Sequence, residues 1–83
     1  MSGEKLKFES VVKIFEYIQQ HPRENRNYVA KEVEKMGVSS LQFDMAEDSL
    51  YDKDLIRESK IPSGIGYTAK EGITKEILEK CFL

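Results

Sequence analysis

The run Leu50-Tyr51-Asp52-Lys53-Asp54-Leu55-Ile56-Arg57-Glu58 decides the fold. Up to Leu50, apolar residues recur every third and fourth position. After Asp54 they alternate. The first period is one face of a helix and the second is one face of a strand. Residues 55–58 therefore read as a short strand. Ser59-Lys60-Ile61-Pro62-Ser63-Gly64 follows, with proline and glycine as breakers, and reads as a turn. Ile65-Gly66-Tyr67-Thr68 returns as the partner strand. The spacing predicts a β-hairpin with a long tip rather than a two-residue turn.

Upstream of this run the chain is helical. Ser39 opens a helix, with Gln42 three residues later as a capping box, and Phe43, Ala46 and Leu50 form its core face. Before it, a helix over about 28–36 carries Val29, Val33 and Met36 on one side. Asn25 or Asn27 caps it, and Gly37 supplies a left-handed stop. Val38 is a buried turn residue. Residues 21–27 are polar and unpatterned, hence a loop. Residues 5–20 form the first helix, with Phe8, Val11, Val12, Phe15 and Ile18 on one face and His21-Pro22 as its end. Downstream of the hairpin, Thr68-Ala69-Lys70-Glu71 reads as a second capping box. It opens a last helix with Ala69, Ile73, Ile77 and Cys81 along one side.

The order is helix, helix, helix, hairpin, helix. The expected fold is mainly α with a small β-hairpin: a winged helix-turn-helix of three helices, a two-stranded wing and a carboxy-terminal helix. It occupies residues 1–83 as one domain. The chain has 83 residues, enough for one modest core, since small chains bury about 60–65 % of their unfolded surface. Hydrophobic residues are 40 % and charged residues 34 %, which argues against disorder. Lysine plus arginine is 13 and aspartate plus glutamate 15, for a net charge of -2. That balance weakens any reading in which the whole surface holds nucleic acid. A single cysteine excludes an internal disulfide and suits a reducing compartment. No apolar run approaches the roughly 20 residues of a membrane span. Met1-Ser2-Gly3-Glu4-Lys5 lacks the apolar block of a secretory signal. A cytoplasmic protein without membrane partners is expected.

The run from Val38 to Leu50, followed by Leu55-Ile56, resembles the third helix and first wing strand of small winged-helix proteins, in particular the YjcQ-like group of short bacterial and phage proteins. The stretch Gly66-Tyr67-Thr68-Ala69-Lys70-Glu71-Gly72-Ile73 is similar to the Leu-Thr-x-x-Gly wing exit of MarR- and PadR-like regulators. Here tyrosine stands for leucine and Gly72 falls one residue late. The resemblance covers roughly residues 5 to 80. It implies a fold and no reaction, and the wider superfamily holds both DNA binders and protein-binding modules.

Catalysis has little to work with. His21 is the only histidine and lies in a loop, and Cys81 reads as a buried thiol on the last helix. No cysteine or histidine spacing suits zinc, and the acids form no calcium loop. No catalytic residue, metal or cofactor is expected. Two partners are. A winged helix presents its third helix and wing to double-stranded DNA. The candidate residues are Ser39, Ser40 and Gln42 at the helix start and Arg57 and Lys60 on the wing. Arg23, Arg26, Lys31 and Lys35 are placed to touch flanking phosphates. Against this, no lysine or arginine occurs from Val38 to Asp52, while Asp44, Glu47, Asp48 and Asp52 do. Phosphates repel such a helix, unless these acids are no more than a solvated face. The alternative is a protein partner. Leu41 and Met45 fall nearly opposite Phe43 and make an apolar interaction patch, or else they are buried between neighbouring helices. Leu78 and Phe82 either complete the core or form the contact of a homodimer.

Overall fold

The computed structural model describes residues 4–83. Met1, Ser2 and Gly3, which belong to the stretch read as lacking a signal and to the 1–83 domain, lie outside the described residues. Four helices pack with a three-stranded antiparallel sheet. The elements run α1 (Phe8–Gln20), β1 (Glu24–Asn25), α2 (Arg26–Lys35), α3 (Ser40–Asp52), β2 (Ile56–Ile61), β3 (Gly64–Ala69) and α4 (Lys75–Phe82). The sheet order is β1-β3-β2.

α1 is the central element. Val11, Ile14, Phe15 and Ile18 are fully buried at its three-and-four spacing, against α2, α3, β3 and α4. Burying that stripe gives the helix its stability, because an isolated helix of this length is marginal in water. Val29 and Val33 of α2, Phe43, Ala46 and Leu50 of α3, Ile56 and Tyr67 of the hairpin, and Leu78 of α4 join it in the core.

Two identical devices stop α2 and α3. At the end of α2, the Gly37 N–H donates to the carbonyl of Glu34, and the Val38 N–H donates to that of Val33. At the end of α3, the Asp54 N–H donates to Tyr51 and the Leu55 N–H to Leu50. Both are Schellman motifs, each with its buried apolar pair, Val33–Val38 and Leu50–Leu55. The residue that reverses the chain takes a positive φ. Gly37 does so at +94°, and Asp54 does so at +59°, where a side chain opposes the conformation. The change of period at Asp54 is thus a helix stop feeding directly into β2.

Several expectations are corrected. The loop at 21–27 contains a third strand: Glu24 pairs with Tyr67 and Asn25 with Gly66. α2 starts at Arg26 with Asn25 as its cap. The hairpin has no long tip. Its strands extend to Ile61 and Gly64, which pair, so only Pro62-Ser63 forms the turn. The last helix begins at Lys75, with Thr74 rather than Thr68 as its cap. Thr68 and Ala69 belong to β3, which pairs along its whole length with β2. α4 is also turned about its axis: Leu78 is the buried residue, whereas Ile77 and Cys81 are exposed.

Candidate functional site

The residues picked out at the start of α3 divide. Ser39 and Ser40 are exposed, and the Ser39 hydroxyl caps the helix by accepting from the Gln42 N–H at 3.2 Å. Gln42 is not on the surface. It is 3 % exposed, and its amide is fully engaged. Oε1 accepts from the Lys7 N–H at 2.9 Å, while Nε2 donates to the Lys5 carbonyl at 2.9 Å and to Glu4 at 2.7 Å. The segment leading into α1 lies across α3 here and covers Gln42. It therefore cannot read a base edge, and the second half of the expected capping box is absent because its side chain points at this segment.

Ser40 lines a shallow groove with Asn27, Ala30, Lys31 and Glu34 of α2. A broader open groove continues past Asn27 and Lys31 to Tyr28, Glu24 and Asn25. The start of α3 thus has hydroxyls, a lysine and an asparagine beside the positive end of a helix dipole, groups that bond phosphate or carboxylate oxygens.

The acids of α3 are not equivalent. Arg26, at the first position of α2, grips Glu47 with two bonds, from Nε and from Nη2, the latter at 2.9 Å. Its Nη2 also stands 3.6 Å from Asp44, and the guanidinium lies 5.6 Å from the centre of the Phe43 ring. The bond to Glu47 raises the Arg26 pKa further, against the opposing effect of burial, with the charges of Glu47, Asp44 and Glu58 adding to it. Arg26 is thereby a clamp between α2 and α3 and not a free phosphate contact. Leu41, Asp48, Tyr51 and Asp52 form the outward stripe together with Asp44. Leu41 is 45 % exposed and Tyr51 54 %. Met45 is half-buried beside it. Tyr51 is a further exposed aromatic of α3 that sequence spacing does not single out, since it stands about 80° around the helix from Leu41.

The two wing cations lie on opposite faces of the hairpin. Glu58 pairs with Tyr67 and Lys60 with Ile65, so both share the face of buried Ile56 and Tyr67 that packs on the helices. Arg57 lies on the other face, its side chain 3.8 Å from Asp54.

Of the two readings of Leu78 and Phe82, core or dimer contact, the packing matches the first. Leu78 is 1 % exposed. Phe82 is half-buried, its ring 6.5 Å from that of Phe8 and capped by the Lys53 ammonium at 5.1 Å. The pair closes the seam between α1 and α4. His21 stacks on Tyr17 at 4.3 Å between ring centres, and the Tyr17 hydroxyl donates to the Glu24 carboxylate. Burial first, and that bond second, hold the Tyr17 phenol neutral far above its ordinary range. Among the described residues no three histidine, cysteine or acidic side chains gather as a metal site, and no helix is long and apolar enough to cross a membrane. No family model, curated protein or solved structure matches the chain.

Proposed function

We propose that the chain is a non-enzymatic winged helix-turn-helix module, of the kind its sequence resembles in the YjcQ-like and MarR- or PadR-like proteins, that docks on double-stranded DNA in the cytoplasm as a regulator does. The element order supports the winged reading. Two helices are joined by a short turn, a hairpin follows the second of them, and a short strand ahead of them pairs back onto that hairpin. The observation that carries the DNA reading is the Arg26 clamp. It takes up Glu47 and stands against Asp44, the two carboxylates nearest the first half of α3. The exposed Ser39 and Ser40 and nearby Lys31 then meet a phosphate at the positive helix end, with Lys60 on the hairpin as a further contact.

The test is fluorescence anisotropy with a random duplex at low salt. Micromolar binding that falls steeply as salt rises supports the reading. Absence of binding at low salt removes it. A second reading, a protein partner on the outward side of α3, is favoured by the exposure of Leu41 and Tyr51 on a helix that also exposes Asp48 and Asp52. Leu41→Lys separates the two. A protein partner is lost with this change, whereas the added charge strengthens DNA binding.

A further inference from the structure

The outer edge of β2 is an unpaired strand whose side chains complement a second copy of themselves. The geometry points to a two-fold dimer in which β2 pairs antiparallel with β2 of another copy, Ser59 facing Ser59. This inference does not rest on the DNA reading, although both use Lys60.

The parity of the strand fixes which backbone groups are free. The Lys70 N–H donates to the Leu55 carbonyl at 2.8 Å, so Leu55 bonds inward to β3. Inward and outward residues alternate along a strand. Arg57, Ser59 and Ile61 therefore also bond inward, and Ile56, Glu58 and Lys60 turn their N–H and C=O groups outward. Among the described residues no backbone bond reaches those outward groups. Neither Glu58 nor Lys60 takes part in an ion pair among the described residues.

A copy of β2 can pair with this edge only in registers that oppose outward residues to outward residues. If Glu58 faces itself, two carboxylates meet. If Lys60 faces itself, two ammonium groups meet. The register centred on Ser59 opposes Glu58 to Lys60 and Lys60 to Glu58, giving two symmetric ion pairs on one face of the sheet. A register centred on Arg57 would oppose Glu58 to Ile56, which is buried. Cross-strand pairs of opposite charge stabilise and like pairs destabilise, so the register centred on Ser59 is selected. It makes four backbone hydrogen bonds, two for each such pair. It also brings Pro62, which has no N–H, opposite Ile56, which is only 1 % exposed, so the ladder ends there. That end of β2 borders a depression lined by Tyr51, Asp52 and Asp54, with room for the partner's turn. The α3 contact on β2 sits at the Ile56 end, and the two-fold axis carries the partner's own α3 to the opposite end. A charged edge usually keeps strands apart. Here the alternation of sign makes the edge repel other registers and accept this one.

The experiment is sedimentation velocity of the full chain from about 10 μM to about 1 mM, a span suited to an association resting on a short ladder and exposed ion pairs. The wild type dimerises over this range. Glu58→Lys converts both attractive pairs into repulsive ones and weakens association at least tenfold. Lys60→Glu does the same. The double swap, Glu58→Lys with Lys60→Glu, restores pairing to within about threefold of wild type. Amide exchange gives a second readout: the Glu58 and Lys60 N–H groups gain protection with concentration, while those of Arg57 and Ser59 are protected throughout. A chain monomeric at 1 mM overturns the proposal. So does a dimer that Glu58→Lys leaves unchanged, since it would use another surface.

Discussion

Gly66→Ala tests the part of the fold that the sequence did not disclose, the docking of β1 on β3. A methyl group at Gly66 would meet the Arg23 carbonyl oxygen at 2.7 Å, its carbon at 2.9 Å and the Glu24 oxygen at 3.1 Å. These are backbone atoms and cannot rotate away, so β1 has to lift from the sheet. Overpacking of this kind costs about 1–3 kcal/mol. The lifting also strains the Arg23 N–H bond to Tyr67 and the Glu24 anchor of the Tyr17 hydroxyl, each worth about 1 kcal/mol. A loss of about 2–4 kcal/mol is expected from urea unfolding followed by circular dichroism. Gly72→Ala is the control. Gly72 has a φ of +79° and open space around its would-be methyl, so only the left-handed backbone counts, about 1 kcal/mol. Amide exchange should show the Arg23 N–H losing protection in Gly66→Ala and keeping it in Gly72→Ala. If Gly66→Ala costs no more than the control, β1 is not held against Gly66 and the three-stranded sheet is wrong.

Gln42→Ala removes three hydrogen bonds from a buried amide, so it should cost about 2–3 kcal/mol and lower the melting temperature by about 10–20 °C. At low temperature, duplex affinity of the folded protein should not change. Asp54→Gly relieves a left-handed φ at the end of α3 and should add about 0.5–1 kcal/mol of stability in the same urea experiment, since its ion pair with exposed Arg57 contributes little. The folded chain keeps the Tyr17 proton to a higher pH than the unfolded chain does. The stability tied to this group is therefore intact below the ordinary phenol pKa of about 10 and falls as pH rises beyond it. Tyr17→Phe should flatten that alkaline fall in denaturation curves measured between about pH 9 and pH 11.

Local chemistry was legible and long-range placement was not. The stop at Gly37, the cap at Ser39 and the core face Phe43, Ala46 and Leu50 are all set within one helical turn of their own sequence. The change of period at Asp54 was visible for the same reason, although nothing in that period marks Asp54 as the residue that takes the left-handed conformation. β1 left no trace because two residues carry no period, and its only signature is Gly66, far along the chain in β3. In α4, Leu78 and Phe82 have the same four-residue spacing as Ile77 and Cys81. Periodicity cannot choose between the two faces, and the choice falls to Phe8 on α1, against which Phe82 packs. Gln42 looked like a surface polar residue since nothing nearby reveals that residues 4–7 cross it. Its burial is tolerable because all of its amide's polar atoms find partners there.

The charge of α3 is where sequence and structure give different answers from the same residues. Counted along the chain, Asp44, Glu47, Asp48 and Asp52 make a uniformly repulsive helix. In the fold, Glu47 is only 13 % exposed in its side chain and bound to Arg26 in two places. A carboxylate held this way has little charge left to project outward. The same guanidinium lies beside Asp44, leaving Asp48 and Asp52 as the free charges, in the second half of the helix and away from its positive end. The repulsion is thus concentrated toward the Tyr51 end, and the serines stand at the other. A long anion such as duplex DNA can approach the serine end while staying clear of Asp52. A docking protein with cations has its attraction at the Tyr51 end instead. The clamp therefore makes α3 a helix with two ends of different electrostatic character, and the partner is decided by which end it meets.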